Sequence, residues 1–167
     1  MKLIITDVSV LFDLYHIKVL PEFFALDVEI CMTIFVYNEI VQDEQIKEFE
    51  MFKRTQKLTV LELSAEEEDQ IVNLKLKRSL RSIPDKTMLW KAIQLKCPLL
   101  TCDDKLRKEA IDNDIEVHGS IWVVTELQKQ NIIDKAKTIV LLEQLKKVNT
   151  RLPFDEMDKI IKRLKMN

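Results

Sequence analysis

Short apolar, β-branched runs alternate with segments of helical periodicity along most of this chain. The runs lie at residues 2–6, 28–33, 58–63, 98–101 and 115–118. Strands that alternate with helix-length crossovers form a mainly parallel sheet with helices on both faces. We therefore predict an α/β fold with three layers, α/β/α, in which residues 58–63 form either a third strand or an extended link.

Helical periodicity fills the stretches between these runs. The predicted helices cover residues 8–20, 35–41, 64 to about 80, a segment after Pro84, 104–113 and 120 to about 130. The third of these has a defined start, because Ser64 and Glu67 form a capping-box signature.

The last part of the chain shows helical spacing only. From residue 132 onward no strand-like run is found, and Pro153 divides the helical pattern into two parts. We assign residues 1–133 to one α/β domain. Residues 134–167 form a predicted helical extension that packs on the same domain or on a partner.

Scarce glycine and cysteine exclude several classes of protein. A single Gly argues against the tight turns of a β-sandwich and against Gly-rich loops that cradle phosphates. Three Cys without ligand-like spacing indicate reduced thiols and a cytoplasmic protein. The apolar start carries Asp7 and lacks a cleavage site, so we expect a buried strand and not a signal peptide. No apolar run approaches the roughly 18 residues that a membrane span needs, and we expect no membrane partner.

The charge is nearly balanced. The 26 Lys and Arg residues against 28 Asp and Glu residues give a net charge of −2. Proteins that bind nucleic acid by general neutralisation of phosphates are usually basic. Any nucleic acid would therefore be held locally or through a metal.

Acidic residues follow the predicted strands. Asp7 ends the first run, Asp103 and Asp104 follow the run at 98–101, Glu39 is placed early in the second helix, and Asp85 lies in the first turn of its helix. In an open parallel sheet, ligands bind outside the carboxyl ends of the strands, where the strand order reverses. These acids are therefore expected to meet at one edge of the sheet.

Each acid also has a purely structural interpretation. Asp7 and Asp103 suit helix N-caps, Asp85 suits the first turn of a helix, and Glu39 suits the protein surface. Carboxylates crowded together without a metal would repel one another, however, and this favours a site for a hard cation such as Mg²⁺. The nearby hydroxyls of Ser9 and Thr101 are candidates for orienting the carboxylates.

The acidic segments resemble those of a known family. The sequences ITDVS around Asp7, YNEI around Glu39, SIPD around Asp85 and LLTCDDKLR around Asp103 are similar to the acidic motifs of PIN-domain nucleases. The stretch EAIDNDIEVHGSIWVVTELQKQNII is also similar to that family, and the resemblance covers about residues 1–133 in the right order. The remaining residues resemble the helical extension of a bacterial subfamily related to VapC-type toxins.

The resemblance implies a metal-dependent ribonuclease. It places catalytic acids at Asp7, Glu39, Asp85 and Asp103, with Mg²⁺ or Mn²⁺ held by Asp7, Asp85, Asp103 and its neighbour Asp104. RNA would be the substrate, a small antitoxin protein would be a partner, and a homodimer is also considered. Lys86 departs from the family pattern, and an ion pair between it and an acid would weaken metal binding.

The sequence also allows other interpretations. Lys75, Arg78 and Arg81 are spaced as on one helix face, either as a phosphate-contacting stripe or as a solvated surface. A non-catalytic PIN-like interaction module is the main alternative function. A receiver-type phosphoacceptor domain fits less well, because a single Asp follows the first strand and the last strand ends at His118 and Gly119.

Overall fold

A computed structural model describes residues 2–78, 80 and 82–166 of the chain. In this part, five strands form one sheet: β1 (Lys2–Thr6), β2 (Val28–Thr33), β3 (Leu58–Leu61), β4 (Leu99–Leu100) and β5 (Val117–His118). All neighbouring strands are parallel, in the order β3-β2-β1-β4-β5. The predicted parallel sheet is confirmed, and residues 58–61 are its third strand.

Helices connect and follow the strands. They are α1 (Val8–His16), α2 (Leu20–Phe23), α3 (Ile34–Tyr37), α4 (Asp43–Arg54), α5 (Ala65–Val72), α6 (Ile83–Leu95), α7 (Asp104–Asp112), α8 (Ser120–Lys129), α9 (Lys135–Val148) and α10 (Phe154–Met166). Helix α6 packs against β1, β2 and β4, with α7 and α5 beside it. Helices α1 and α2 belong to the crossover from β1 to β2, whose usual right-handed sense places them on the opposite face, and α8 packs with them there. The three-layer prediction is confirmed.

The strand order reverses next to β1. The chain moves outward from β1 through β2 to β3, and then returns to β4 on the other side. The backbone N–H of Asp7 donates to the Leu100 carbonyl at 2.8 Å, which fixes the end of β1 against β4. The backbone N–H of Thr101 donates to the His118 carbonyl at 2.9 Å, which aligns the end of β5. The carboxyl edge of the sheet, where these strands end, is thus well defined.

The helix predicted at residues 8–20 is wrong in extent. Helix α1 ends at His16, and Lys18 takes a left-handed backbone conformation with φ of 56°. Pro21 occupies the first turn of α2, where its missing N–H costs nothing. The left-handed residue interrupts the helical run, so α1 and α2 replace the single predicted helix.

The helix predicted from Ser64 to about residue 80 is also too long. Its capping box is present, but the helix ends at Val72. The buried carboxylate of Glu109 on α7 accepts the backbone N–H groups of Lys77 and Arg78 at 2.9 and 2.8 Å. These hydrogen bonds hold the following segment in an irregular conformation against α7.

The region after β2 contains an unpredicted helix. The helix predicted at residues 35–41 is only the four-residue α3, and the longer α4 follows it. Helix α4 buries Phe49 and Phe52, and the Phe52 ring stacks on Phe24 with ring centroids 4.1 Å apart. This contact packs α4 next to the end of α2.

The C-terminal helices share the core of the sheet. Leu142 and Leu145 of α9 and Met157 of α10 are fully buried in the same apolar cluster as the strands. Helix α9 packs on α8 and α1, and α10 packs on α9. A boundary between a domain and an extension near residue 133 stays a prediction. None of the helices in the described ranges is long and apolar enough to cross a membrane.

Candidate active site

Asp7 is the most firmly held acid at the carboxyl edge. It is the N-cap of α1 and is 7% exposed. Its Oδ2 accepts hydrogen bonds from the Ser9 hydroxyl at 2.7 Å and from the Thr101 hydroxyl at 3.0 Å, and its Oδ1 accepts the Ser9 N–H at 3.4 Å. Both hydroxyls named from the sequence as orienting groups therefore contact this carboxylate.

Asp103 lies beside Asp7 and is exposed. It is the N-cap of α7, and its Oδ1 accepts the backbone N–H groups of Lys105 and Leu106 at 2.9 and 2.8 Å. The Thr101 hydroxyl oxygen accepts a hydrogen bond from the Asp103 N–H at 3.0 Å, and the same hydroxyl donates its proton to Asp7. Thr101 thus links the ends of β1 and β4, and both acids act as the caps that the structural interpretation predicted.

Asp85 faces these acids from the first turn of α6. The Ser82 hydroxyl caps this helix through the Asp85 N–H at 3.3 Å. Thr87, on the next turn, shares a 2.7 Å hydrogen bond with Thr33 at the end of β2 and so ties α6 to the sheet edge. Burial and, to a smaller extent, the charges of Asp7, Asp103 and Glu39 together raise the pKa of Asp85 from 3.8 to about 6.

Glu39 is the fourth acid near the carboxyl edge. It lies in an exposed turn after α3, and its placement early in a helix is wrong because α3 ends at Tyr37. Partial burial raises the pKa of its carboxyl, and the charge of Asp7 adds to this effect. The structure thus brings Asp7, Glu39, Asp85 and Asp103 within electrostatic range, and we call these four residues the acidic cluster.

The acidic cluster has no paired cation in the part of the chain that the structure describes. Within the described ranges, no Lys, Arg or His nitrogen lies within 4 Å of its carboxylate oxygens. Lys86 follows Asp85 directly, but it forms no ion pair with an acid of the described ranges. Uncompensated carboxylates at one edge are chemically suited to a hard divalent cation.

The carboxylates do not form a closed metal cage. Among the residues that the structure describes, no three His, Cys, Asp or Glu side chains are close enough to hold a metal ion together. Mg²⁺ does not require such a cage, because it keeps several waters and is commonly bound through one or two carboxylates. Asp103 uses only Oδ1 in its cap, which leaves Oδ2 for a cation. The donor set therefore fits a hydrated Mg²⁺ or Mn²⁺ ion.

Asp104 lies apart from the acidic cluster. It is exposed and lines a separate cavity that also contains His118 and Trp122. Its charge is not among those that raise the pKa of Asp85, whereas that of its neighbour Asp103 is. Of the two adjacent acids, Asp103 faces the other carboxylates.

The predicted basic stripe is not formed on a helix. Lys75 and Arg78 lie in the irregular segment after α5, and Arg81 lies outside the described residues. The Arg78 guanidinium pairs with Asp112 and lies 3.6 Å from Glu109. Arg78 therefore joins this segment to α7, and the prediction that the three cations share one helix face is wrong.

Sequence reasoning missed two residues that support this edge. The buried carboxylate of Asp13 accepts hydrogen bonds from the Ser120 hydroxyl at 2.6 Å and the Asn149 amide at 3.0 Å. The Arg107 guanidinium donates to the Thr101 carbonyl at 2.9 Å, next to Gly119. Asp13 could have been found as an acid within the apolar pattern of α1. Nothing in the sequence around Arg107 marks that residue.

Comparison with known protein families identifies the family of this chain. A family model described as PIN domain matches residues 3–166, which is nearly the entire chain. This chain belongs to the PIN-domain family. PIN domains are generally nucleases, and PIN-domain nucleases typically use divalent metals.

Solved structures of PIN-type proteins resemble this PIN domain at low sequence identity. One is a PilT N-terminus domain protein from the archaeon Sulfolobus solfataricus, with 11% identity, a TM-score of 0.48, and 75% of this chain and 92% of that chain covered. Another is VapBC2 from Rickettsia felis, bound to a DNA fragment from its promoter, with 13% identity, a TM-score of 0.44, and coverage of 70% and 98%. No curated protein matches the sequence.

Proposed function

We propose that this PIN domain is a metal-dependent endoribonuclease, with Mg²⁺ or Mn²⁺ at the acidic cluster. The observation that carries the proposal is the convergence of four carboxylates at the point where the strand order reverses, with no counter-ion among the described residues. Membership of a family of nucleases supports hydrolysis of a phosphodiester as the reaction.

The residues of the cluster have different parts in this proposal. Asp7 is fixed by Ser9 and Thr101, and Asp103 is fixed by its cap, so both present oriented carboxylate oxygens. Asp85 and Glu39 add negative charge that attracts a cation to the edge. A bound divalent cation would activate water and offset charge on the phosphate. The cation would also relieve the repulsion that raises the pKa of Asp85.

Cleavage of a fluorescent single-stranded RNA in Mn²⁺ or Mg²⁺ tests the proposal. The wild-type protein should cut the RNA, and chelator should abolish cutting. Asp7→Asn should remove nearly all cleavage and keep the fold, since Asn caps a helix nearly as well as Asp but lacks the charge. Asp43→Asn, an exposed acid in the first turn of α4, is the matched control and should cut like the wild type. Equal cleavage by Asp7→Asn and the control would contradict the assignment.

A toxin of a toxin–antitoxin pair is the biological role we propose for this activity, on the basis of the resemblance to VapC-type proteins. Expression of the wild type should then arrest growth, and expression of Asp7→Asn should not. Co-expression of a cognate small antitoxin should restore growth. Normal growth with active wild-type enzyme in the cell would refute the toxin role and leave the nuclease proposal standing.

A non-catalytic interaction module is the second candidate, favoured by the lack of a closed metal cage in the described ranges. A thermal-shift titration with Mn²⁺ separates the two. The nuclease proposal predicts a rise in melting temperature that is reduced in an Asp7→Asn, Asp103→Asn double variant. No response to Mn²⁺ and no cleavage of any RNA would favour the interaction module.

A further inference from the structure

A cavity of about 520 Å³ lies beside the acidic cluster. It is bounded by the ends of β4 and β5, the start of α8 and the junction between α9 and α10. No member of the acidic cluster lines it, but both neighbours of Asp103 do, Cys102 and Asp104. Small-molecule sites commonly measure about 300 to 1000 Å³, so the cavity is large enough for one nucleotide.

Two guanidinium groups line this cavity. Arg107 donates to the carbonyls of Thr101 and Val117 at 2.9 and 3.5 Å, which leaves other N–H donors of its fork available. Arg151 is exposed in the junction between α9 and α10. In the described part of the chain, no carboxylate lies within 4 Å of either group. Unpaired guanidinium groups in a concave site favour an anion, and phosphate matches their geometry.

The start of α8 also favours an anion in this cavity. Its N-cap is Gly119, which has no side chain to accept the first N–H groups. The Ser120 hydroxyl does not replace it, because it donates to buried Asp13 at 2.6 Å. The first N–H groups of a ten-residue helix, with the positive end of its dipole, therefore border the cavity next to the two arginines.

Aromatic rings form another wall of the cavity. His118 and Trp122 stack with ring centroids 4.2 Å apart and an interplanar angle of 13°. Both side chains are half-buried and line the cavity. Nucleic-acid bases stack on aromatic platforms of this kind with little dependence on sequence.

The cavity is rigidly joined to the acidic cluster. Arg107 holds the carbonyl of Thr101, and the hydroxyl of the same Thr101 holds Asp7. On the other side, Asn149 accepts the Arg151 N–H at 3.2 Å and donates to Asp13 at 3.0 Å. The C-terminal junction that carries Arg151 is thus anchored to the same scaffold as the acids.

We propose that this cavity binds one nucleotide of the RNA next to the bond that is cut. Arg107, Arg151 and the start of α8 hold its phosphate, and the His118–Trp122 pair supports its base. The inference rests on the proposed function, since it takes RNA as the substrate. It gives the C-terminal helices a positioning role, because Arg151 comes from the junction between them.

Binding of a fluorescein-labelled single-stranded RNA, measured by anisotropy in chelator, tests the inference without requiring cleavage. Arg151→Ala should weaken binding about tenfold, the loss expected for a charge-assisted contact. It should also reduce the slope of log K against log salt by about 0.7, the value for one phosphate contact on a single strand. Arg151→Lys should retain most of that slope, because the charge remains. Arg54→Ala, an exposed arginine at the end of α4, is the control and should change neither quantity.

Removal of a negative charge from the same cavity should have the opposite effect on RNA binding. Glu156 is exposed and lines the same cavity, where its charge opposes a phosphate. Glu156→Gln should therefore tighten RNA binding by about twofold, with the effect lost at high salt. A merely structural role of the junction would not produce effects of opposite sign from Arg151 and Glu156.

The outcomes separate this inference from the proposed function. Unchanged RNA affinity and salt slope in Arg151→Ala would overturn the inference, even when the wild type cuts RNA. Altered RNA binding without any cleavage by the wild type would support the cavity and refute the nuclease.

Discussion

Replacement of Asp85 by Asn should stabilise the protein at neutral pH when no divalent metal is present. The pKa of Asp85 rises from 3.8 to about 6, first through burial and then through the charges of Asp7, Asp103 and Glu39. An increase of about two pH units corresponds to about 3 kcal/mol of unfavourable free energy for the charged form. Because Asp85 is only half-buried, solvent screening reduces the expected gain from Asp85→Asn to about 1 to 2 kcal/mol.

The pH dependence of this gain has a definite sign. The folded-state pKa of Asp85 is above its unfolded value, so the folded protein binds more protons between about pH 4 and pH 6. Stability from this group is fully present below the unfolded pKa and is lost as the pH rises through the folded one. The advantage of Asp85→Asn should therefore be complete at pH 7.5 and small at pH 4.

Urea unfolding in chelator, followed by circular dichroism at pH 7.5 and pH 4.5, measures the effect. Asp43→Asn is the control, since it removes the same charge from the first turn of a helix that lies outside the acidic cluster. Adding Mn²⁺ should reverse the order at pH 7.5, because metal binding stabilises the wild type in proportion to its affinity. Equal or lower stability of Asp85→Asn in chelator would refute the conclusion that burial and the neighbouring carboxylates disfavour the charged form of Asp85.

Three further substitutions test the scaffold by thermal unfolding. Asp13→Ala leaves the donors of Ser120 and Asn149 without their buried acceptor, and should lower the free energy of unfolding by about 2 to 4 kcal/mol. A loss below about 1 kcal/mol would contradict the role of Asp13 as that acceptor. Gly119→Ala places a Cβ 3.1 Å from an Arg107 nitrogen. This crowding should cost about 1 kcal/mol of stability and lower the melting temperature by about 3 °C. An unchanged melting temperature would show that Arg107 moves aside freely. Leu142→Ala should cost about 2 to 4 kcal/mol, because Leu142 is fully buried in the shared core; a neutral effect would show that α9 contributes little to folding.

The sheet and its acidic edge could be predicted from the sequence because their signals are local. Short β-branched runs identify strands wherever both faces of a parallel sheet are buried. An acid directly after such a run lies at the carboxyl edge, whatever the rest of the chain does. Asp7 and Asp103 could therefore be placed near each other from the sequence alone.

The missed features depend on contacts between distant parts of the chain. Asp13 meets Ser120 and Asn149 across separations of 107 and 136 residues, and no local pattern links them. The end of α5 was mispredicted because Glu109 on α7 captures the backbone about 30 residues earlier in the chain. Helical periodicity continues past Val72, but the tertiary hydrogen bonds offer the backbone a better set of acceptors.

The capping and metal-binding interpretations of the strand-end acids are compatible in this fold. Helices that follow parallel strands begin at the carboxyl edge, so an N-cap after a strand is automatically close to the N-caps of its neighbours. Asp103 shows how one side chain serves both purposes, since Oδ1 satisfies two backbone N–H groups and Oδ2 is left for a cation. Asn at such a position would keep the cap and lose the charge, whereas Ala would lose both. Only the pair of substitutions separates what these acids contribute to folding from what they contribute to the proposed chemistry.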